Sequence, residues 1–517
     1  MASGSNFMFI DSQADHAQNL SLRTKKQVFV MKKYYKDQKQ ASIDRLNPKS
    51  APTSRPRVNN TTTEAPSSPV EEPENTTIQR RSKDCSREFD SPEPEMWSME
   101  AYLSQGFVDP FSSSAIEMTD TMNQYFHHFR IHSILMCYPI DPMGMGMWWW
   151  QQAITQPGLL QAILFLSAGH RAALEFHTPG VNPQVAEKTF RNCLRLRGNV
   201  LRNLKDTIED PKTAVAESTT LVVSSLASGE AVNANFEALE IHMKGLKRLV
   251  RLLGGVEKID HGALAKIYEC DVRNAALNNT KPVFPISSRW RSEIRQFVKF
   301  LQVQEPLQIP NKFFILGKFF FKASWYSGLD PQLQFFTQIL HRLIIHYEEA
   351  QLNPSIITHT DNDLYLVFEH QLLSASYAPA EDKIDEALRH AFLVYVNLRI
   401  WHFQGIPLMH YIVDALRQSL EPPFTHLQGN APDLLFWILW IGGLASFGAG
   451  CHGWFLQNLT TIARQLRLEN WEAARLLLGG FFYTDQAWEG DKVAEQALWN
   501  EVVPETQRAL DTPMIFI

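Results

Sequence analysis

Apolar side chains recur at three- and four-residue steps along most of the chain after Tyr102. The clearest example is residues 236–255, where one side of the pattern is apolar and the other is basic. The apolar stripe consists of Leu239, Met243, Leu246, Val250 and Leu253, and the basic side of Lys244, Lys247, Arg248 and Arg251. This spacing predicts an amphipathic helix. Gly254 and Gly255 follow where a left-handed C-cap is needed, so we expect the helix to end there.

Similar patterns predict helices over residues 183–204, 330–351, 383–401 and 456–478. Alternating strand patterns are almost absent, and no hairpin dipeptide separates two apolar runs. The sequence therefore predicts an all-α protein, a large array or bundle of packed antiparallel helices, over residues 98–517.

Residues 434–451, LLFWILWIGGLASFGAGC, contain no charged side chain. A membrane span is one interpretation, because such a span needs about 20 apolar residues. However, four glycines interrupt the run, and no cluster of Lys or Arg flanks it. We favour a central helix that other helices bury on all sides.

The N-terminal part of the chain differs in composition from this body. Residues 46–97 are rich in Pro, Ser, Thr, Asn and charge, with few large apolar residues, which predicts a disordered linker. Residues 1–45 form a basic arm. Residues 21–60 contain eleven basic and two acidic side chains, so this segment carries a charge of +9. Because the net charge of the whole chain is −6, the rest of the chain carries −15.

A basic arm of this kind is typical of nuclear import signals and of segments that contact nucleic-acid phosphates. The candidate residues are Lys25, Lys26, Lys32, Lys33 and Lys36. We favour import over phosphate contact. The alternative is an amphipathic helix that docks on the body without a signalling role.

Five scattered cysteines, Cys85, Cys137, Cys193, Cys270 and Cys451, have neither metal-clip nor short disulfide spacing. This distribution indicates plain thiols in a reducing compartment. The start of the sequence has no continuous apolar segment, so we expect no secretory signal.

Three local patterns have both a chemical and an ordinary interpretation. His128 and His132 are four residues apart, but no third metal ligand is apparent, so we expect ordinary helix residues. Residues 448–453 fit G-x-G-x-x-G, but no strand–helix–strand unit surrounds them, which favours close helix packing or a loop. The tryptophans at 148–150 are expected in the core, with partner anchoring as the alternative. We predict no catalytic residue, no metal and no cofactor.

The order of the motifs resembles a known family. The landmarks are an Asp-Pro-Phe opening within residues 107–129, a small-residue helix at 159–174, the stretch with Glu230, His242, Gly245 and Gly254–Gly255, IYECDVRNA at 267–275, PVFP at 282–285, residues 432–446, and Trp454, Trp488 and Trp499. Across residues 105–500 they resemble the regulatory domain found behind fungal six-cysteine zinc-cluster DNA-binding modules. The early FMFID with the basic arm is similar to the N-terminus of family members without a zinc cluster.

The zinc-cluster reader is where this sequence departs from the family. That module needs six cysteines within about 30 residues so that thiolates share two zinc ions. Only Cys85 precedes the body. The family's sequence-specific DNA reader is therefore not in this sequence. Three alternatives remain: a protein partner, such as a DNA-binding transcription factor, reads the DNA; the basic arm makes weakly specific phosphate contacts; or a zinc-cluster segment is missing from the sequence.

The resemblance implies a nuclear, non-enzymatic regulator of transcription that controls a gene set, such as a metabolic or secondary-metabolite cluster. It implies binding of a protein partner or of a small effector in a helical pocket, and no membrane association. The rival interpretations are a helical scaffold that binds no DNA, and an unrecognised helical enzyme or membrane-associated protein.

Overall fold

The structure is a computed structural model that describes residues 116–176, 182–303, 309–484 and 489–503. These ranges are helical and contain no strand; one isolated bridge joins Ala380 and Lys383. The predicted all-α fold is confirmed. The basic arm, the predicted linker and the first residues of the predicted body lie outside the described residues.

The first half of the described chain contains nine α-helices. They are α1 (Asp120–His128), α2 (Ile134–Cys137), α3 (Pro142–Ala153), α4 (Pro157–Phe176), α5 (Pro183–Glu209), α6 (Pro211–Ala214), α7 (Glu217–Val232), α8 (Phe236–Leu252) and α9 (His261–Asn278). A π-helical segment, Phe129–Ser133, joins α1 to α2, and a 3₁₀ turn, Val256–Lys258, follows α8.

The second half begins with three short helices and continues with longer ones. They are α10 (Ser288–Glu293), α11 (Phe297–Leu301), α12 (Lys318–Lys322), α13 (Pro331–Leu352), α14 (Asp361–Ser374), α15 (Asp385–Tyr395), α16 (Pro407–Leu420), α17 (Phe424–Asn430), α18 (Pro432–Ala445), α19 (His452–Gln465), α20 (Trp471–Gly480) and α21 (Glu489–Val502). The 3₁₀ turns are Asn311–Phe313, Ser324–Gly328 and Pro354–Ile356, and Val396–Ile400 is a second π-helical segment.

Several helices begin at an Asp-Pro or Asn-Pro pair. The acidic or amide side chain accepts a backbone N–H of the first turn, and the proline occupies the first helical position. This arrangement starts α3 at Asp141, α5 at Asn182, α6 at Asp210 and α13 at Asp330. A proline costs nothing there, because the first N–H groups of a helix have no partner within it.

Helix α8 and its C-cap confirm the prediction for residues 236–255. Gly254 and Gly255 have φ of 91° and 94°. The Gly255 N–H donates to the Val250 carbonyl at 2.9 Å, the six-to-one hydrogen bond of a Schellman-type cap. A residue with a side chain is strained in this backbone conformation.

The single helix predicted over residues 456–478 is wrong, because two helices occupy that range. Arg467 adopts a left-handed φ of 56° after α19, and the Leu468 N–H caps the helix by donating to the Ala463 carbonyl at 3.0 Å. Asn470 then starts α20 by accepting the Ala473 N–H at 2.9 Å. The apolar period continues across the break, which conceals it in the sequence.

The helix predicted over residues 383–401 is largely confirmed. It begins at Asp385 and runs as α15 to Tyr395, and its last turn, Val396–Ile400, is π-helical. The Trp401 N–H donates to the Val396 carbonyl, five residues back, at 3.0 Å. The wider turn changes the direction in which the side chains after Tyr395 point.

Helix α9 lies between the two halves of the body. Helices α4, α5, α7 and α8 pack on one another in the first half, and α9 contacts α7 and α8 there. On its other side α9 contacts α14 and α16, which belong to the second half. Residues 263–273 of α9 are all buried.

Helix α18 is buried on every side, as the favoured interpretation of residues 434–451 predicts. Every residue from Leu434 to Ala445 is buried. A Cβ at Gly442 would lie 2.2 Å from the Phe455 ring, so the glycine permits close approach of α19. Among the described residues, none of the helices combines the length and hydrophobicity that a membrane crossing needs.

Two glycines of the α8 region provide a matched stability test. Gly255, with φ 94° and ψ 173°, is in a conformation that is open to glycine almost alone, so Gly255→Ala should lower the free energy of unfolding by about 1–3 kcal/mol. Gly245 is exposed inside α8, and an added Cβ there meets nothing within 4 Å. Gly245→Ala should therefore raise the free energy of unfolding by about 0.5–1 kcal/mol. Urea unfolding measures both, and equal effects would contradict the assigned C-cap.

Candidate functional site

Helix α9 carries four buried charged side chains: Lys266, Glu269, Asp271 and Arg273. Burying a charge is costly unless a partner and hydrogen bonds compensate it. Each of the four has such partners, and they come from both halves of the body. Helix α9 is therefore a polar centre of the molecule.

Arg273 forms an ion pair with Glu369 of α14. One guanidinium nitrogen donates to both carboxylate oxygens, at 2.9 and 2.7 Å. The same carboxylate accepts the Asn397 side-chain amide and the Trp401 indole N–H, each at 2.7 Å. The guanidinium carbon also lies 4.6 Å from the ring centroids of both Trp401 and Phe403. The pair thus joins α9, α14 and the end of α15.

Asp271 and Tyr268 fix the segment that follows α9. The Asp271 carboxylate accepts the backbone N–H groups of Val283 and Phe284 at 3.0 and 2.8 Å. The Tyr268 hydroxyl donates to the Pro285 carbonyl at 2.8 Å. These contacts give a physical reason for the IYECDVRNA and PVFP motifs to occur together, since residues of one hold the backbone of the other.

Lys266 and Glu269 form a second polar group, on the side of α9 that faces the first half. The Lys266 ammonium donates to Glu269 at 2.9 Å and to the Ser228 hydroxyl at 2.9 Å. The Tyr138 hydroxyl donates to Glu269 at 3.4 Å and accepts the Trp149 indole N–H at 3.1 Å. Burial by itself lowers the pKa of Lys266, but Glu269 and two nearby thiols raise that pKa above its ordinary value. Lys266 is therefore a charged structural group and not a neutral amine nucleophile.

A cavity of about 10 Å³ adjoins this group and is the candidate pocket for an effector. Lys266, Tyr138, Trp149, Ser225 and Cys137 are among its lining residues. That volume holds about one water molecule, so no organic effector fits in this conformation. Burial raises the pKa of the Cys137 thiol to about 12, which keeps the sulfur protonated and unreactive at neutral pH.

The other described cysteines are also plain thiols, as the spacing predicts. None of the four described cysteines is in a disulfide. Burial raises the pKa of Cys193 to about 12 and that of Cys451 to about 11, and it raises the pKa of Cys270 as well. Thiols of this kind are poor nucleophiles.

His128 and His132 lie side by side, with ring centroids 4.7 Å apart. A third histidine, which the sequence pattern does not reveal, joins them: His170 Nδ1 is 3.2 Å from His128 Nε2 and 3.1 Å from the Ser133 hydroxyl. Within the described ranges, no set of three His, Cys, Asp or Glu side chains is arranged to hold a metal ion.

Glu230 and His242, two landmarks of the resemblance, meet at the corner between α7 and α8. Arg197 Nε donates to Glu230 at 2.5 Å, and His242 Nε2 lies 3.6 Å from the same carboxylate oxygen. The Asn235 amide donates to the other oxygen at 2.8 Å. Burial favours a higher pKa for Glu230, but His242 and Arg197 hold that pKa below its ordinary value. The group therefore holds α5, α7 and α8 together.

Two other sequence patterns have ordinary roles. Residues 448–451 belong to the turn between α18 and α19, and residues 452–453 begin α19. The element before this turn is a helix, so a dinucleotide-binding strand–turn–helix is not formed there. Trp149 is buried, and Trp148 and Trp150 are partly buried against the core, which confirms their expected position. The candidate import residues, Lys25, Lys26, Lys32, Lys33 and Lys36, lie outside the described residues.

Residues 314–321 present an exposed apolar surface that the sequence analysis missed. Phe314 is 66% exposed, and Ile315, Phe319 and Phe321 are also exposed. Phe319 packs against the end of α20, because a Cβ at Gly480 would lie 2.3 Å from its ring. Leu476, 70% exposed, is one turn before Gly480 on α20. We call Phe314, Ile315, Phe319, Phe321 and Leu476 the aromatic face.

The comparisons with known proteins identify part of this body. Residues 124–279 match the family model described as the fungal specific transcription factor domain. This part of the chain is similar to the fungal specific transcription factor domain. The comparison with curated proteins and the comparison with solved structures each found no match. The match runs from within α1 to the end of α9 and includes Glu230, His242 and the charged residues of α9, so it confirms the family resemblance for residues 124–279.

The Arg273–Glu369 pair provides a test of how the domain is held together. Arg273→Met leaves the Glu369 carboxylate buried without its ion partner, so we expect the free energy of unfolding to fall by about 3–5 kcal/mol. The double variant Arg273→Met, Glu369→Met should lose less, because no lone charge is buried. Lys205→Met is the surface control, since Lys205 and Glu209 are 3.9 Å apart and both exposed, and it should change stability by less than about 1 kcal/mol. The single variant Glu369→Met completes the cycle, and a double variant that loses the sum of the two single effects would show that the pair is not coupled.

Proposed function

We propose that this protein is a nuclear transcription regulator that controls a gene set, such as a metabolic or secondary-metabolite cluster, through a protein partner bound by its helical body. The fungal specific transcription factor domain at residues 124–279 carries this proposal. A regulatory function is supported generally by that match. The gene set, the partner and the nuclear location are our inferences.

Two further observations favour a protein partner over other modes of action. Only Cys85 precedes the body, so the six-cysteine reader of the family is not encoded in this sequence. The cavity beside Lys266 has room for about one water, whereas the five apolar side chains of the aromatic face are exposed. These points support a non-enzymatic mode of action, in which the body recruits or senses a DNA-bound protein.

Chromatin occupancy of the full-length protein, tagged at the C-terminus, is the primary test. We expect discrete promoter peaks with a shared sequence motif, because a sequence-reading partner would bring the protein to DNA. The motif would identify the class of that partner. Enrichment no higher than in an untagged strain would remove the regulatory proposal in favour of a scaffold that does not contact chromatin.

The basic arm gives a separate prediction about location. Alanine at Lys25, Lys26, Lys32 and Lys33 should shift the fluorescently tagged protein from the nucleus to the cytoplasm, because import receptors bind clustered basic side chains. The matched control replaces four exposed lysines of the body, Lys188, Lys205, Lys212 and Lys281. An unchanged nuclear signal in the arm variant would show that the arm is not the import signal.

A further inference from the structure

The aromatic face is held in a fixed position by a buried residue at its centre. Phe320 is fully buried, and its ring lies 5.2 Å from Trp437, 5.0 Å from Phe481 and 4.5 Å from Phe482, between ring centroids. The Gly317 N–H also donates to the Phe481 carbonyl at 3.0 Å. Phe319 and Phe321, the neighbours of this anchor, are therefore presented at the surface on a rigid support.

Exposed apolar side chains normally occur singly on a protein surface, while clusters mark interaction sites. Here four of them lie within residues 314–321, and Leu476 extends the cluster onto α20. A preformed cluster of this type suits a partner that brings its own apolar side chains, because no ordering of the face is required before binding.

The segment that carries four of the five face residues has charge of one sign, whereas α20 contributes both Glu472, one turn before Leu476, and Arg475. Between Glu305 and Asp330 the sequence has three lysines, Lys312, Lys318 and Lys322, and no acidic residue. Two of the ammonium groups lie against phenylalanine rings: Lys312 is 4.6 Å from the Phe313 centroid and Lys318 is 4.7 Å from the Phe314 centroid. None of the ion pairs found among the described residues involves these three lysines. The charge stands out because the chain outside residues 21–60 is acidic.

The exposed apolar side chains and the neighbouring lysines together indicate which kind of partner would bind. Lysine ammonium groups pair with carboxylates, and the apolar side chains between them need an apolar cover. An amphipathic helix with apolar residues on one side and Asp or Glu on its flanks supplies both. Single-stranded nucleic acid stacks bases on aromatic rings, but Ile315 and Leu476 offer no ring for stacking.

We propose that the aromatic face, together with Lys312, Lys318 and Lys322, is a docking surface for an acidic amphipathic helix of a partner protein. This inference rests on the proposed function only for the partner's regulatory role, because the binding itself is a property of the surface. The partner's carboxylates would pair with the three lysines, and its apolar side chains would cover Phe314, Ile315 and Leu476.

The test is fluorescence anisotropy with the full-length protein and a labelled helical peptide. The probe is about 15 residues long, roughly four turns, with Leu and Phe on one side and Glu on the flanks. Two control peptides replace every Glu by Gln, or every Leu and Phe by Ala. We expect saturable binding of the probe and at least about tenfold weaker binding of each control, a difference of about 1.4 kcal/mol or more.

Protein variants then locate the site. Lys312→Glu, Lys318→Glu and Lys322→Glu together should weaken the probe at least about tenfold, while Lys188→Glu, Lys212→Glu and Lys281→Glu, exposed lysines elsewhere, should change it by less than about twofold. The double variant Phe314→Ser, Leu476→Ser should also weaken binding of the probe. The control is the double variant Ile241→Ser, Leu352→Ser, which changes exposed side chains on other helices and should leave binding unchanged. The milder variant replaces Lys312, Lys318 and Lys322 by Gln. Thermal unfolding of every variant then distinguishes loss of binding from loss of the fold.

Several outcomes would overturn the docking surface. One is the absence of saturation up to about 1 mM probe. Another is equal binding of the probe by the triple variant at Lys312, Lys318 and Lys322 and by the control triple variant. A third is that the protein binds oligothymidylate or phosphatidylserine-containing vesicles more tightly than the probe, and that the changes at these three lysines abolish this binding. The last result would assign the face to nucleic acid or to a membrane. If the protein shows promoter peaks but fails to bind the probe, the docking surface is wrong and the proposed function stands. If it binds the probe but shows no promoter peaks, the docking surface stands and the proposed function is wrong.

Discussion

The buried ion pair between Arg273 and Glu369 is the contact on which the rest of the body depends. It joins α9 to α14, and Asn397 and Trp401 bring the end of α15 to the same carboxylate. A charge inside a protein is costly unless an opposite charge compensates it, so the Arg273–Glu369 pair favours an arrangement in which these three segments meet. A purely apolar contact would permit small rotations of α9, and the polar contact does not.

The same helix organises both halves of the body through different residues. Lys266 and Glu269 connect α9 to Tyr138 and Ser228 in the first half, while Asp271 holds the backbone after the helix. The family-matched region is thus held together by polar contacts in its interior, while the proposed docking surface is built from the second half. The side chains of that surface lie apart from the interior network, so they can change without loss of its contacts.

Periodicity and capping residues were sufficient to predict the helical class, α8 with its glycine cap, and the burial of α18. They failed at residues 466–470, because Arg467 takes a left-handed conformation that glycine usually marks. The ion pairs of α9 were beyond the sequence, since Arg273 and Glu369 are 96 residues apart and only the tertiary fold brings them together. The aromatic face was also missed, because buried and exposed phenylalanines look alike in FFILGKFFF.

The boundary of the family-matched segment separates buried charges from the groups that compensate them. The match to the transcription factor domain ends at residue 279, but the partners of its last helix lie beyond it: Glu369 for Arg273, and Phe284 for Asp271. Cutting the chain at that boundary would strand a guanidinium and a carboxylate without the groups that compensate their burial. We therefore expect that the segment defined by family likeness does not fold by itself, and that the cooperative folding unit extends across its edge into α14 and α15.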